Sequence, residues 1–428
     1  MPVVAIILGK CIAFVSRVLR LGAGQTWPGE LALRVCPTLL RSFAAQDTTI
    51  ILITGTNGKT TTAKMIESIL SRAGMKTRCN TSGANLENGI VSTFLLDADM
   101  RGNLRSTHFI FEVDEAVVPL VLQKIRPRAV LVLNLFRDQL DRYGEVDVVA
   151  AKWRQALGTL TKKTTVILNA DDPQVAFLGK QTHARIRYFG LNEKKLLVDT
   201  LEHATDSTFC PSCGSRLDYS DGVYYSHIGL WACAHCGLKR TKPDLAQWKS
   251  SLPGLYNQYN TIAAVLTARE LGIHDSTIAS ALSHYSPAFG RQEEFTLRDK
   301  RIKIFLSKNP AGFNMSLRTV LEMKPRVLLL ALNDRIPDGR DVSWIWDVDF
   351  EMIPKGVAVV VTGDRAGDIA VRMKYARDGE RYLFIEKQLS AAVTKSLELL
   401  SNKETLYVLP TYSAMLDIRK ILIGRKIL

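Results

Sequence analysis

The residues that most clearly suggest a chemical function lie between positions 50 and 62. There an apolar run, Ile50 to Ile53, leads into Thr-Gly-Thr-Asn-Gly-Lys-Thr-Thr-Thr. A helix that begins after such a turn presents unpaired N–H groups and the positive end of its dipole, and both attract phosphate oxygens. Glycines let the backbone approach the phosphates, while Lys59 can reach the outer phosphates and the Thr60 hydroxyl can coordinate magnesium. The pattern therefore predicts a nucleoside triphosphate site formed by Gly55, Thr56, Asn57, Gly58, Lys59, Thr60 and Thr61.

This loop differs from the usual phosphate-binding pattern of a glycine, four residues and Gly-Lys-Thr, because Ile53 stands at the position of the first glycine. A glycine turn that joins a strand to a helix and binds no ligand is the alternative interpretation. The lysine and the hydroxyl residues directly after Gly58 favour the phosphate site, because a simple turn needs none of them.

Three other apolar runs have the composition of buried parallel strands. They lie at 107–112, 128–134 and 164–169. Each run ends in a polar residue, namely Glu112, Asn134 and Asn169. Because ligands bind at the carboxyl ends of parallel strands, these side chains are expected on the same edge of the sheet as the phosphate loop.

Acidic residues cluster at the end of the first of these runs, in the segment Phe111-Glu-Val-Asp-Glu. Magnesium that bridges phosphates takes carboxylate oxygen as a ligand. Glu112 is therefore predicted to bind magnesium opposite Thr60. Solvated loop acids without a ligand are the alternative for this segment.

Four of the seven cysteines form two Cys-x-x-Cys pairs, Cys210 with Cys213 and Cys233 with Cys236. Four thiolates at this spacing can close a tetrahedral zinc site with no open position for water, so the predicted zinc is structural. The intervening tyrosines, glycine and tryptophan suit the short hairpin of a zinc ribbon. Redox use of either pair is the rival interpretation. The remaining cysteines are scattered, as expected of reduced thiols in a cytosolic protein.

The chain has 428 residues and a formal net charge of +14, from 56 basic and 42 acidic residues. This length predicts two or three domains, each able to bury its own core. The charge favours a polyanionic partner or an anionic membrane surface, but no basic run resembles a nucleic-acid-binding arm. A soluble basic enzyme that does not bind nucleic acid is the preferred interpretation.

The first segment, Val3 to Leu21, is apolar with interspersed basic residues, and it is too interrupted to span a bilayer. It is predicted to form an amphipathic helix, with a signal peptide as the competing interpretation. Packing of this helix on the body of the protein is favoured over contact with a membrane. The phosphate loop indicates a cytoplasmic protein, because ATP is supplied there.

Alternating strands and helices predict an α/β fold with two sheet domains. An N-terminal helical segment, 1–45, precedes an ATP-binding domain at 46–296. A zinc ribbon is inserted into that domain at about 203–242. A second α/β domain occupies 297–428, with strands expected at 302–306, 327–332, 357–362, 382–385 and 405–409.

These segments together resemble the Mur ligase family of ATP-dependent enzymes that form amide bonds. The matching pieces are Gly55–Thr61, Glu112, Asn134–Gly144, Asn169–Pro173, Gly254–Ala264 and Gly290–Arg291. The resemblance implies a P-loop ATPase domain of the Mur ligase type and a Rossmann-like C-terminal domain. It also implies that Asn257 and Asn260 lie near the nucleotide and that Arg291 contacts phosphate at the cleft between the domains.

Three features resemble the MurT branch of that family, the ligase subunits of lipid II isoglutaminyl synthases. The chain has Gln139 where many members have histidine, it carries the zinc ribbon, and its C-terminal region contains 308–314 and 333–344. The branch implies that ATP phosphorylates the α-carboxylate of D-glutamate in the lipid II stem peptide, and that ammonia then gives D-isoglutamine. Lys59 would act by positioning and charge neutralisation. The reaction would take place at the inner face of the cell membrane.

The same resemblance implies a partner, a glutamine amidotransferase of the GatD type, which supplies ammonia from glutamine. In that branch an aspartate of the ligase subunit completes the partner's catalytic triad, and the matching position here is Asp341, with Asp338 and Asp347 as weaker candidates. The aspartate would orient a histidine of the partner and stabilise its charged form. Capping of a helix at 342–346 is the alternative role for Asp341.

Two other functions compete with amidation. A Mur-type ligase could instead add an amino acid to a carboxylate of a peptidoglycan precursor. A zinc-ribbon protein with an ATPase could bind nucleic acid, and this would be visible as salt-dependent binding. The ordered ligase motifs favour amidation over the nucleic-acid function, because charge alone explains none of them.

Overall fold

The computed structural model describes residues 2–18, 26–80, 83–138, 146–286, 291–297, 299–376, 382–401 and 403–424. The first unit is built on a parallel sheet of six described strands in the order β2-β3-β1-β4-β5-β6. These strands are β1 (Thr49–Thr54), β2 (Thr77–Cys79), β3 (His108–Glu112), β4 (Ala129–Val132), β5 (Thr165–Asn169) and β6 (Arg185–Phe189). The central strands are apolar because helices cover both faces of the sheet.

Three helices precede β1, and from β1 onward the helices of this unit alternate with its strands along the chain, as predicted. They are Pro2–Val18, Trp27–Val35, Leu39–Ala44, Lys59–Arg72, Glu87–Asp97, Val118–Lys124, Val146–Gly158, Pro173–Leu178, Leu255–Glu270 and Asp275–Ser283. The first three pack together and against Glu87–Asp97. In the part of the chain that the structure describes, no helix is both long enough and apolar enough to cross a membrane.

The second unit is another sheet of six described strands, in the order β13-β12-β11-β14-β10-β9. Its strands are β9 (Arg291–Leu297), β10 (Lys300–Phe305), β11 (Val327–Ala331), β12 (Ala358–Thr362), β13 (Leu383–Ile385) and β14 (Thr405–Pro410). Only the edge pair β9 and β10 is antiparallel among the pairings described. Its α-helices are Pro310–Glu322, Ala366–Ala376, Leu389–Glu398 and Tyr412–Ile423.

A small hairpin is inserted in the first unit between β6 and the helix Leu255–Glu270, in the segment where zinc knuckles are expected. The strands β7 (Val223–Tyr225) and β8 (Ile228–Gly229) are antiparallel, which confirms the predicted short hairpin. The Trp231 side chain packs with Cys210, Cys233 and Leu217 in a separate small core. The hairpin region is therefore a distinct structural element attached to the first unit.

Three strands were not predicted from the sequence, and each has a physical reason. β2 has only three residues, and β6 alternates exposed and half-buried side chains at the edge of its sheet. β9 carries charged and polar residues along an edge, so its sequence lacks an apolar run. Because β9 pairs with β10, we propose that the second domain begins near Arg291 and not at 297.

Candidate functional site

The phosphate loop has the backbone geometry that its glycines predict. Gly55 has a φ of +125° and Gly58 a φ of +92°, which are left-handed conformations that favour glycine. The helix Lys59–Arg72 begins directly after Gly58, so its free N–H groups point out of the loop. The Asn57 backbone N–H donates to Asn134 Oδ1 at 2.9 Å, and Asn134 Nδ2 donates to the Asn57 carbonyl at 3.0 Å. The side chain of Asn134 therefore fixes the backbone of the loop at Asn57.

The run from Asn169 to Pro173 supports this arrangement by bonding to the backbone next to Asn134. Asn169 Nδ2 donates to the Leu133 carbonyl at 3.0 Å, and Asp172 Oδ2 accepts the Leu135 N–H at 2.8 Å. These two bonds fix the backbone on both sides of Asn134. Asp172 also caps the helix Pro173–Leu178. Both residues are buried and act by positioning the loop.

Lys59 is buried at the floor of the site. Its Nζ donates to the Gly55 carbonyl at 2.7 Å and to Glu115 Oε1 at 2.6 Å. Glu115 was not assigned a role from the sequence, although it belongs to the acidic segment that drew attention to Glu112. The pair places a second carboxylate beside the loop, so Lys59 must exchange this partner to contact an outer phosphate.

Thr60 and Glu112 meet as predicted for two ligands of one magnesium ion. Thr60 Oγ1 donates to Glu112 Oε2 at 2.7 Å. Adjacent ligands of an octahedral magnesium with bonds of ~2.1 Å lie about 3.0 Å apart, so small adjustments of the two side chains would let both oxygens bind the ion. Asn80 anchors Glu112 by accepting its backbone N–H at 2.9 Å and donating to its carbonyl at 2.8 Å. Magnesium binding by this pair stays a prediction.

These groups line a cavity of about 470 Å³ between the two sheet units. The first unit contributes the loop residues 56–61, Glu112, Glu115, Asn134, Asn257 and Asn260. The second unit contributes Gln292, Lys308, Gly312, Ser316 and Tyr412. One wall therefore presents phosphate-binding and carboxylate groups, while the other presents a lysine and hydroxyls.

Direct contacts join the two walls across the cavity. The Asn57 and Asn309 side-chain amides bond to each other in both directions, at 3.2 and 3.0 Å. Lys308 forms an ion pair with Asp138. The sequence did not assign Lys308 or Asn309 to the site, because a residue's place in a cleft between domains depends on how the domains meet.

The structure describes only part of the Arg291 region and of one ligase motif. The Arg291 backbone pairs with Phe305 in the second sheet, and its side chain lies outside the described residues. Residues 139–145 and Gly290 also lie outside them. Contact of Arg291 with phosphate stays a prediction. Its neighbour Gln292 donates to the Tyr256 hydroxyl at 2.6 Å, which links the second unit to the helix Leu255–Glu270.

Asn257 and Asn260 lie on the first turns of that helix, are buried and line the cavity. Asn260 Oδ1 lies so close to Gly58 that a Cβ at this glycine would overlap it. The helix and the phosphate loop are therefore in direct contact, as the predicted nucleotide site requires.

Gly58→Ala is expected to lower both stability and nucleotide affinity. The left-handed backbone costs a non-glycine residue about 1–2 kcal/mol, and the new methyl group also displaces Asn260 from the cavity. Gly74→Ala is the matched control, since Gly74 has a φ of +81° and open space around its Cβ position. Thermal unfolding and calorimetric titration with ATP measure the two effects. Equal ATP affinity in both variants would contradict the contact of Asn260 with nucleotide.

The three aspartates proposed to face a partner differ in their surroundings. Asp341 is exposed and accepts the Ser343 N–H at 2.8 Å and the Ser343 hydroxyl at 2.9 Å, at the start of the 3₁₀ helix Ser343–Asp347. Asp338 is buried, and burial raises its pKa while the Ser413 side chain and backbone hold it. Asp347 pairs with Arg137 at 3.2 Å. Asp341 therefore makes local bonds to Ser343, while the N-cap of the 3₁₀ helix is Val342 and has no side-chain cap bond, and the Asp341 carboxylate faces solvent.

The four cysteines of the two pairs converge as predicted. Their Sγ atoms all lie within 4.8 Å of one another, and two of the Sγ–Sγ distances are 3.6 Å. A tetrahedral zinc with Zn–S bonds of ~2.3 Å places its sulfurs about 3.8 Å apart, so the cluster suits zinc. The Ser215 backbone N–H lowers the pKa of Cys213 to about 5, which favours its thiolate, whereas burial raises the pKa of Cys210 to about 12.

The two knuckles have the same backbone geometry. The Cys210 backbone carbonyl accepts the Gly214 N–H at 2.9 Å, and the Cys233 carbonyl accepts the Gly237 N–H at 3.0 Å. Both glycines have a φ of +74°. The hairpin is tied to the first unit by Trp231, whose Nε1 donates to the Ala170 carbonyl at 3.1 Å. Matched knuckles are typical of a structural metal site.

We expect the purified protein to contain about one zinc per chain. Cys236→Ser should lower the zinc content and the melting temperature, because the fourth ligand is lost. Cys11→Ser is the control, since Cys11 is exposed on another part of the molecule. Elemental analysis measures the metal directly, and zinc-free protein that melts normally would remove the ribbon assignment.

Two family models match this chain. The Mur ligase middle domain matches residues 53–268, and the MurT ligase C-terminal model matches residues 306–415. The lipid II isoglutaminyl synthase (glutamine-hydrolyzing) subunit MurT of Staphylococcus aureus (strain COL) is 34% identical over 414 residues, covering 92% of this chain and 91% of that protein. The subunit of the same name from Streptococcus pneumoniae (strain ATCC BAA-255 / R6) is 33% identical, covering 95% of this chain and 94% of that protein.

A solved structure shows the same architecture at lower identity. The pseudomurein peptide ligase type C from Methanothermus fervidus superposes with a TM-score of 0.67 at 19% identity, covering 90% of this chain and 80% of that chain. This likeness concerns the fold. It confirms the predicted α/β class, with a parallel-sheet domain followed by a second α/β domain.

Proposed function

This chain belongs to the MurT family of Mur-type ligase subunits, and from that membership we propose that it uses ATP and magnesium to amidate lipid II. The carboxyl group that is amidated is the α-carboxylate of D-glutamate in the stem peptide, and the product is D-isoglutamine. The observation that carries this proposal is the meeting of Lys59, Thr60 and Glu112 at the start of one helix, on the wall of a cavity between two domains.

The first step forms an acyl phosphate. A carboxylate oxygen of the substrate attacks the γ-phosphorus of ATP, the bond to the bridging oxygen breaks, and ADP leaves. Lys59 and the free N–H groups after Gly58 stabilise the negative charge that develops on the transferred group. Magnesium held by Thr60 and Glu112 would neutralise charge on the β- and γ-phosphates.

The second step replaces phosphate by nitrogen. Ammonia attacks the acyl carbon, the carbon–oxygen bond to phosphate breaks, and a proton leaves the nitrogen to give the amide. The enzyme needs no covalent intermediate, because holding the two reactants together in the cavity supplies much of the rate enhancement. Lys308 and Asn309 of the second unit already contact the first unit across the cavity, so the reacting groups would be held between the two walls.

The ammonia comes from a partner subunit with glutaminase activity, of the GatD type. The relatives are named as subunits of a glutamine-hydrolysing enzyme, which supports such a partner here. The partner-facing carboxylate we propose is Asp341, because Asp338 is buried against Ser413 and Asp347 is paired with Arg137.

Exposed apolar side chains next to Asp341 support a docking surface for this partner. Trp346 lies on the 3₁₀ helix that Asp341 precedes, and its ring packs against Tyr375 with centroids 5.6 Å apart. Tyr375 is 75% exposed and Ile336 is 79% exposed. Aromatic residues on an exposed surface are typical of protein interfaces.

The proposal is tested by adding ATP, magnesium and glutamine to the complex of this chain with its partner, with lipid II as substrate. Mass spectrometry distinguishes the products, because amidation exchanges a hydroxyl for an amino group. A product enlarged by an amino acid would support the alternative, a Mur-type ligase that extends a peptidoglycan precursor. We propose that the reaction takes place at the cytoplasmic face of the membrane, where the lipid-linked substrate is exposed.

A further inference from the structure

The N-terminal helix Pro2–Val18 has two different faces, and both are apolar. The face toward the protein carries small residues, with Ala5, Gly9 and Ala13 all buried. A Cβ at Gly9 would lie only 2.9 Å from Leu95 Cδ1, so the small residues allow close contact with the helix Glu87–Asp97. This inner face accounts for the expected packing of the helix on the body of the protein.

The opposite face carries large apolar side chains that point into solvent. We call it the outer face, and it consists of Val3, Val4, Ile7, Leu8, Cys11, Phe14, Val15 and Val18. These positions recur every three or four residues, which places them along one side of the helix. Phe14 is 67% exposed and Val18 is 62% exposed. Trp27, which begins the next helix, is also 67% exposed.

A contiguous exposed face of this kind normally has an occupant, because soluble surfaces rarely expose so many large apolar side chains together. Packing on the rest of the chain is already satisfied by the inner face. The helix has 17 residues and is held at its inner face, so it cannot cross a bilayer.

The positive charge of the chain and of the residues near the helix indicates which kind of surface the outer face contacts. The segment 2–18 contains no aspartate or glutamate, and the whole chain has a net charge of +14. Lys10 lies beside the outer face on the helix and donates to the Ala98 carbonyl, next to a turn that carries the exposed Arg101 and Arg105 together with Asp99. An apolar face bordered by basic residues and by an exposed tryptophan is typical of a helix that lies in the interface of an anionic membrane.

We propose that the outer face lies in the surface layer of an anionic lipid bilayer and holds the enzyme on the membrane. The inference rests on the proposed function for its purpose, since a lipid-linked substrate is confined to that surface. The apolar side chains would enter the boundary between headgroups and acyl chains, while the arginines remain at the headgroups. The sequence had favoured packing on the body over membrane contact, and the two faces allow both at once.

The test uses the full chain in complex with its partner and vesicles of phosphatidylcholine alone or mixed with phosphatidylglycerol. We expect sedimentation with the anionic vesicles, weakened by salt. The triple variant Ile7→Ser, Phe14→Ser, Val18→Ser should reduce vesicle binding by about tenfold or more, because buried apolar area is lost. The control Val148→Ser, Leu201→Ser removes exposed apolar residues elsewhere and should bind like the wild type.

Three results would overturn the proposal. The first is absence of binding to anionic vesicles, and the second is undiminished vesicle binding by the triple variant. The third is a light-scattering mass that shows the wild-type complex as a dimer and the triple-variant complex as a single copy. The last result would assign the outer face to a second copy. Amidation of detergent-dispersed lipid II should be unchanged in the triple variant. Loss of vesicle binding with retained amidation separates this inference from the proposed function, which fails only if amidation itself is absent.

Discussion

Lys59→Ala is expected to lower ATP-dependent amidation by at least about 10²–10³-fold, the loss typical of removing one preorganised donor to a developing negative charge. Lys59 is buried, lies at the start of the helix Lys59–Arg72 and is the cation nearest the predicted phosphate position among the described loop residues. The measurement is the rate of phosphate release and of amide formation with saturating ammonium, so that the partner's glutaminase does not limit the rate.

This variant needs a control for stability, because Lys59 pairs with the buried Glu115. Removing one member of a buried pair leaves an uncompensated charge that can cost about 3–5 kcal/mol. The double variant Lys59→Ala, Glu115→Gln removes that charge, so it should recover the melting temperature without recovering activity. Arg72→Ala changes an exposed basic residue at the far end of the same helix and should leave turnover unchanged. Amidation at the wild-type rate in a folded Lys59→Ala enzyme would contradict the role of the loop.

Asp341→Asn should reduce glutamine-driven amidation by about 10²–10⁴-fold and leave ammonium-driven amidation unchanged. The loss is of the size seen when the aspartate of a catalytic triad becomes an amide, because the histidine then adopts the wrong tautomer. Asparagine keeps an oxygen that can accept the Ser343 N–H, so the turn at Asp341 is expected to persist. The two rates are measured on the same complex with either nitrogen source.

Ser343→Ala separates charge from local structure. It removes the hydroxyl that donates to Asp341 Oδ2 and leaves the carboxylate in place. If Asp341 acts through the partner's histidine, this variant should retain glutamine use, whereas a purely structural role would make both variants similar. Equal losses with glutamine and ammonium in Asp341→Asn would assign the residue to the fold or to docking of the partner.

The sequence predicted the central elements of the fold because their patterns are strong. The strand before Gly55, the run ending at Glu112 and the run ending at Asn169 all lie within a few residues of their observed bounds. The convergence of Thr60 with Glu112 also followed from the sequence, because parallel strands end at one edge of a sheet.

Other features depend on contacts that no local pattern specifies. Lys308 lines the cavity only because of how the two domains come together, so its place in the sequence gives no signal. The edge strand β9 is polar and was assigned to the first domain, whereas its pairing with β10 is a tertiary contact. A signal for Glu115 did exist, since it lies in the acidic segment that ends β3, and the segment as a whole faces the phosphate loop.

The outer face of the N-terminal helix shows a further limit of sequence patterns. The apolar residues of 2–18 surround the helix, so the sequence could not divide them into buried and exposed sets. The structure buries Ala5, Ile6 and Gly9 and exposes Phe14, so the buried set consists mainly of small residues. Small residues that permit close packing are therefore a useful sign of which face of an all-apolar helix is buried.

The central claim is that ATP activates a substrate carboxyl group as an acyl phosphate. It is tested most directly with lipid II whose D-glutamate α-carboxylate carries ¹⁸O, amidated by the complex in unlabelled water. The account predicts that inorganic phosphate released during the reaction contains ¹⁸O from the carboxylate, because the oxygen that attacks the γ-phosphorus leaves with it. Amide formation accompanied by unlabelled phosphate would contradict the account.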